Sequence, residues 1–161
     1  MSNDTRELDP KWEFVGDSVM GGVSEGALSR EVFRGRAATV LRGAVSLENN
    51  GGFVQIASDL RADGSALDAS GWDGLEIEVA GNSERYDLRV RTDQLTRPWQ
   101  SYRAEFTALP AWRTVQVPFG AFVSHKTETL FDPARLRRIG ILAIGRVFDA
   151  EIAISAIRLY R

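Results

Sequence analysis

Apolar and polar residues alternate with a period of two through most of this chain, the spacing of half-buried strands. In YDLRVRT, residues 86 to 92, Leu88 and Val90 share one face while Asp87, Arg89 and Arg91 share the other. QSYRAEF, residues 100 to 106, sets Tyr102, Ala104 and Phe106 against Ser101, Arg103 and Glu105. Joined by DQLTRPW, these two runs predict an antiparallel hairpin with one strongly charged face. LEIEV, residues 75 to 79, turns Glu76 and Glu78 to solvent, and WRTVQVPF, residues 112 to 119, is a strand stopped by Pro118. IGILAI, residues 139 to 144, is almost wholly apolar, as a central buried strand should be. EIAISAIRLY, residues 151 to 160, changes phase at Ser155 and Ala156, which predicts a bulge.

Turn signals separate these runs. ENNGG, residues 48 to 52, follows the run from 37 to 47 and precedes FVQIAS, residues 53 to 58, with Asn and Gly supplying positive φ at little cost. Helix signals are few: Asp132-Pro133 before ARLRR offers an N-cap and a proline at the first position, enough for one or two turns. Many strands, regular turns and at most one or two short helices predict an all-β, antiparallel β-sandwich. With no repeat or linker, the expected organisation is one domain over residues 12–161 behind a flexible segment, residues 1–11.

The bulk numbers narrow the function. The 161 residues include 20 Lys and Arg against 22 Asp and Glu, a formal net charge of -2, so a broad nucleic-acid-binding field is not expected. Cysteine is absent, which removes disulfides, thiolate metal sites and cysteine nucleophiles. No apolar run is long enough to span a membrane as a helix. The start, MSNDTRELDPKW, is polar and acidic and carries no secretory pattern, so the expected location is cytoplasmic.

Candidate chemistry is sparse. GDSVMGGVSEG, residues 16 to 26, is glycine-rich but lacks the Gly-Lys-Ser/Thr of a phosphate loop and a following helix. Gly21 and Gly22 suit a tight corner whose free backbone groups Asp17, Ser18 and Ser24 could hydrogen-bond. His125 is the only histidine, in a polar stretch that reads as a solvated loop, so neither a Ser-His-Asp site nor a histidine-rich metal site is expected. No spacing picks out a carboxylate pair for glycoside cleavage or an Asp-rich calcium loop. No cofactor is called for. The constellation that stands out is Arg89, Arg91, Trp99, Gln100, Tyr102 and Arg103 at the hairpin, residue types that anchor protein interfaces or grip sugars. Trp12, Trp72 and Trp112 read as core or rim packing residues, and Trp112, which precedes an alternating strand, is expected in the core.

DSVMGGVSEG (17 to 26), ENNGGFVQI (48 to 56), LEIEVAGNSERYDLRVRT (75 to 92), QSYRAEF (100 to 106), WRTVQVPFGAF (112 to 122) and the closing run from 139 to 160 occur in an order that spans nearly the whole chain. In these stretches the sequence resembles the complex I intermediate-associated protein family, named for a mitochondrial assembly factor of NADH:ubiquinone oxidoreductase and widespread in bacteria as a stand-alone domain. The matching positions are Asp17, Met20, Gly21, Gly22, Ser24, Asn50, Gly51, Gly52 and Phe53, expected to be structural rather than reactive. The resemblance implies a galactose-binding-domain-like jelly roll without catalytic activity, acting as an assembly factor or chaperone. Its expected partner is a protein, with respiratory complex I subunits or assembly intermediates as candidates. The alternative expectation is a carbohydrate-binding module that takes a glycan on a polar, aromatic-edged sheet face.

Overall fold

The structure, a computed structural model, describes residues 4–17, 22–48 and 52–161. Its strands are β1 Thr5–Glu7, β2 Glu13–Gly16, β3 Glu25–Phe33, β4 Arg36–Val45, β5 Phe53–Asp59 and β6 Gly74–Gly81. They continue as β7 Arg85–Thr92, β8 Ser101–Thr107, β9 Arg113–Pro118, β10 Val123–His125, β11 Leu136–Ile144 and β12 Phe148–Tyr160. Two antiparallel sheets of six strands pack face to face. One runs β3-β4-β12-β6-β9, with β1 also paired to β12; the other runs β10-β8-β7-β11-β5-β2. The alternation dictates this sandwich, because each strand turns one apolar row inward and can bury it only against a second sheet. Leu41, Leu75, Ile77 and Ile152 from the first sheet meet Ile56, Leu88, Ile139 and Ile141 from the second in one cluster.

Local signals behave as their chemistry requires. YDLRVRT and SYRAEFT pair as the β7–β8 hairpin. The all-apolar IGILAI lies inside β11, flanked by β7 and β5. The register of β12 against β6 shifts between Ile154 and Ala156, making Ser155 the extra residue of a bulge. Pro133–Arg135 forms one 3₁₀ turn, capped by Asp132, whose side chain accepts from the Ala134 amide at 3.0 Å. In the N-terminal stretch expected to be flexible, Thr5–Glu7 pairs with Arg158, Leu159 and Tyr160, and the Leu8 amide donates to the Ile157 carbonyl at 3.0 Å. The backbone donors and acceptors along the edge of β12 give that segment its ladder.

At the first sheet, two side chains depart from the sequence reading. Glu76, expected in solvent, is buried: its outward direction leads under Arg158 and Gln116 rather than into water. Arg158 pairs with both Glu76 and, at 3.1 Å, Glu78, while the Gln116 amide donates to Glu76 at 2.8 Å. Burial alone would raise the Glu76 pKa, but hydrogen bonds from Gln116 and Arg158 outweigh it and hold the group below 4.5. Trp112 packs outside the main core, in a small cluster with Phe33, Val40, Ala80 and Ala153 on the opposite side of the first sheet. Its indole donates to the Phe33 carbonyl at 3.1 Å.

Arg158→Met should cost about 3 kcal/mol, because it strands a buried carboxylate. The double variant Arg158→Met, Glu76→Leu should recover most of that loss in urea denaturation. Equal midpoints for wild type and the single variant would show that the ion pair does not bear on stability.

Candidate functional site

The outer face of the second sheet is the product of the same alternation, read from its other side. Register places Arg138 of β11 opposite Arg91 of β7, with Asp59 of β5 on its far side. One row along, Gly140 of β11 lies between Ala57 and Arg89, and Arg89 faces Arg103 of β8. The next row holds Val15, Gln55, Leu142, Asp87 and Glu105. Over this face lies a groove of about 500 Å³. Its floor is apolar: Leu142 and Ala57 are only 4% and 3% exposed, yet neither belongs to the core between the sheets. Gly140 deepens it, since a Cβ there would sit 3.0 Å from Gln55 Oε1.

Cations dominate the lining: Arg89, Arg91, Lys126 and Arg138 border the groove with His125, and no carboxylate does so among the described residues. Arg89 is held by Asp87, with Nε and Nη2 donating to Oδ2 at 3.0 and 2.9 Å. Arg138 reaches Asp59 at 3.0 Å and Glu13 at 2.9 Å. Arg91 instead donates to the carbonyls of Arg97, at 3.0 Å, and Pro98, at 3.3 Å, and its buried Nε has no partner among the described residues. Burial, with Arg137 and Arg138 close by, pulls the Arg91 pKa below its ordinary value. Burial likewise lowers the His125 pKa below 6.5, reinforced by Arg89, Arg103 and Lys126 and opposed by Asp87. His125 is therefore a neutral imidazole at neutral pH in a positive field.

The β7–β8 connection shapes the rim. Gln100 Oε1 accepts from the amides of Arg97 and Thr96 at 3.1 and 3.3 Å, fixing the turn. That turn presents Trp99, 59% exposed, with the Arg97 guanidinium 6.0 Å from its ring centroid. Of the residues the sequence singles out, Arg89, Arg91, Trp99 and Gln100 line the groove, and Arg103 stands exposed beside it. Tyr102 does not join them. It is 0% exposed in the core, its hydroxyl donating to the Thr129 carbonyl at 2.8 Å and its ring 4.9 Å from Phe131. Adjacent residues of a strand point to opposite faces, so Tyr102 and Arg103 cannot share one. His125, expected in a solvated loop, is half-buried in β10 opposite Ser101. Gln55, Leu142, Lys126 and Arg138 also line the groove, from segments that no local pattern connects.

The glycine-rich corner closes one end. Asp17, 0% exposed, accepts from the amides of Ser24 at 3.1 Å, Gly52 at 2.6 Å and Phe53 at 3.3 Å. Ser24 Oγ donates to the Ser46 carbonyl at 3.0 Å and accepts from the Ser46 amide at 2.8 Å. The Gly22 amide donates to the Asp17 carbonyl at 3.0 Å. Met20, Gly21, Asn50 and Gly51 lie outside the described residues. Gly52 needs its missing side chain: its φ is +140°, and a Cβ would meet Leu47 Cδ2 at 3.1 Å. Gly52, Phe53 and Leu47 then line the groove. Burial would raise the Asp17 pKa, but hydrogen bonds from Ser24, Gly52 and Phe53 outweigh it and hold the group below 3.8.

With the geometry in view, comparison is informative. The profile of the Complex I intermediate-associated protein 30 family matches residues 2–154. The chain belongs to that family. Among curated proteins, none matches the chain significantly. Among solved structures, it is similar to the family 11 carbohydrate-binding module of a cellulosomal cellulase of Clostridium thermocellum, with a TM-score of 0.75 at 12% identity over 99% of this chain and 95% of that one. The Clostridium thermocellum family 11 module in complex with a β-1,3-1,4-mixed-linked tetrasaccharide gives 0.74 at 13% identity, over 96% and 94%. A family 30 carbohydrate-binding module from a second cellulosomal cellulase of that organism gives 0.64 at 16% identity, over 98% and 90%. At such identities the likeness establishes the galactose-binding-like jelly-roll fold.

None of the described residues forms a cluster of three His, Asp or Glu side chains able to hold a metal ion. Among the described residues His125 has no hydroxyl hydrogen-bond partner, and Asp87 is engaged by Arg89. What the face offers is apolar floor, an exposed indole and oriented guanidinium donors, the equipment of recognition.

Two outcomes follow. Asp17→Ala should cost about 3 kcal/mol, because it leaves three amides without their acceptor. In wild type, the Asp17 contribution is present above pH 3.8 and lost as pH falls through the lower folded value; a variant as stable as wild type at pH 7 would show that other groups hold the corner. For His125 the folded chain binds its proton less tightly than the unfolded chain, so stability should decline as pH falls from about 6.5 towards the depressed folded value. His125→Gln should flatten that part of the stability profile, and an unchanged slope would place His125 in an unperturbed setting.

Proposed function

We propose that this chain is a non-catalytic binding domain that recognises another protein through the outer face of its second sheet, as a cytoplasmic assembly factor or chaperone-like member of its family. The observation that carries the reading is the apolar surface that the groove leaves open on the outer face of the second sheet. Leu47, 49% exposed, and half-buried Phe53 line it above the closed floor of Leu142 and Ala57. Trp99 stands open at the rim, in the manner of an interface anchor. Family membership supports a protein partner, with respiratory complex I subunits or assembly intermediates as the leading candidates.

A second reading is favoured by one specific observation. Phe53 and Trp99 border the same groove, and a structurally similar module holds a tetrasaccharide. Aromatic faces beside hydrogen-bond donors such as Gln55 and Gln100 suit a sugar ring. The cation-rich lining offers a neutral glycan little, which is why the protein reading stands first.

The test is mild cross-linking and affinity capture of tagged protein from its native cells, read by mass spectrometry beside Trp99→Ala. Respiratory-complex subunits recovered with wild type and reduced about tenfold with the variant are expected, with melting temperatures alike because Trp99 is exposed. Absence of any protein dependent on Trp99, together with binding of a β-glucan oligosaccharide that quenches tryptophan fluorescence and is lost in Trp99→Ala, would replace this reading with the second.

A further inference from the structure

The groove has an electrostatic feature that protein binding in general does not require. Two pairs of arginines stand directly opposite each other across neighbouring strands: Arg91 with Arg138, and Arg89 with Arg103. Like charges in that relation destabilise a sheet, so the arrangement works against the fold that carries it. The local acids relieve it only in part. Asp87 takes Arg89, Asp59 and Glu13 take Arg138, and Glu105 lies 3.5 Å from Arg85. Among the described residues no carboxylate pairs with Arg91, Arg103 or Lys126, and Arg91 keeps one buried N–H without an acceptor. This concentration occurs on a chain whose net charge is -2, so it is a local property.

Building on the protein-binding reading above, we infer that the groove receives an acidic, extended polypeptide segment. Its Asp or Glu side chains are taken by Arg91, Arg103 and Lys126, and its apolar side chains rest against Leu47, Phe53 and Trp99. Charge complementarity selects the occupant. A neutral glycan leaves the three cations uncompensated, and a nucleic acid leaves the aliphatic lining without a use. An extended strand satisfies both, because its side chains alternate in direction and can meet the apolar lining and the cations in turn. Burial holds the His125 pKa down, and the charges of Arg89, Arg103 and Lys126 add to that, so a bound carboxylate offsets the cationic part of the effect. Binding an anion there should therefore be accompanied by proton uptake at His125.

The experiment is panning of a random linear peptide library against the folded domain, with Arg103→Glu and Lys126→Glu as counter-selections. Both positions are outside the core, and circular dichroism and melting temperature verify that each variant is folded. Enriched peptides should carry Asp or Glu alternating with Leu, Ile, Phe or Val. Their affinity should fall steeply between low and physiological salt, and each charge reversal should weaken it roughly tenfold. Enrichment of neutral or basic peptides that still need Trp99 would overturn the acidic specificity and leave the protein-binding reading standing. Failure to enrich any peptide, with Trp99-dependent binding of mixed-linked β-glucan, would overturn both. Equal affinity for wild type and both charge reversals would also overturn the inference.

Discussion

One carboxylate fastens the corner on which the sandwich and its groove both depend. Asp17 follows β2 of the second sheet; Ser24 immediately precedes β3 of the first; Ser46 follows β4; Gly52 precedes and Phe53 begins β5, back in the second sheet. Two crossings between the sheets, from β2 to β3 and from β4 to β5, thus meet at a single side chain, through amides that would otherwise lack acceptors. A carboxylate with three amide donors is much better satisfied than a serine or asparagine could be, and its low pKa records that preference. The family signature is therefore a joint. Because Gly52, Phe53 and Leu47 form one wall of the groove, the joint also fixes the shape of the recognition face.

The two sheets divide their labour by what lies over their outer faces. The first sheet is covered in part: Arg158 covers Glu76 and Glu78, and Trp112 with Phe33 lies over Ala80 and Ala153, while a groove of about 550 Å³ stays open beside β3, β4 and β12. The second carries the cation-lined groove, with Leu47 and Trp99 open to solvent above a floor that its own neighbours close. Rigid strands hold these groups at fixed separations, so a ligand pays little to order them.

Much of this was legible along the chain. Period-two alternation marked β7, β8 and β9; an almost wholly apolar run marked β11; the phase change at Ser155 marked a bulge; and Asp132-Pro133 marked a capped turn. The hairpin part of the groove was legible for the same reason, since β7 and β8 are consecutive and their faces can be read together. Tyr102 shows where composition misleads: its residue type suits an interface, but its position in the alternation assigns it to the core. What the sequence could not disclose is which distant strands adjoin. Phe53 and Gln55 reach Arg89 only because β11 lies between β5 and β7, and no local pattern encodes that neighbourhood. Glu76 was misread likewise, because the side chains that cover it come from β9 and β12.

The pairing of β1 with β12 has a mechanical consequence. Thr5 lies opposite Tyr160, and Asp4 and Arg161 are joined at 3.1 Å, so both ends of the described chain leave from one point. Tension drawn between them would not shear a long ladder of hydrogen bonds at once. It would peel the three residue pairs of β1 in succession, like a zip, before reaching β12 where β4 and β6 clasp it from both sides. The domain is thus built to yield gently at its ends while its interior, and the face it presents, keeps its form.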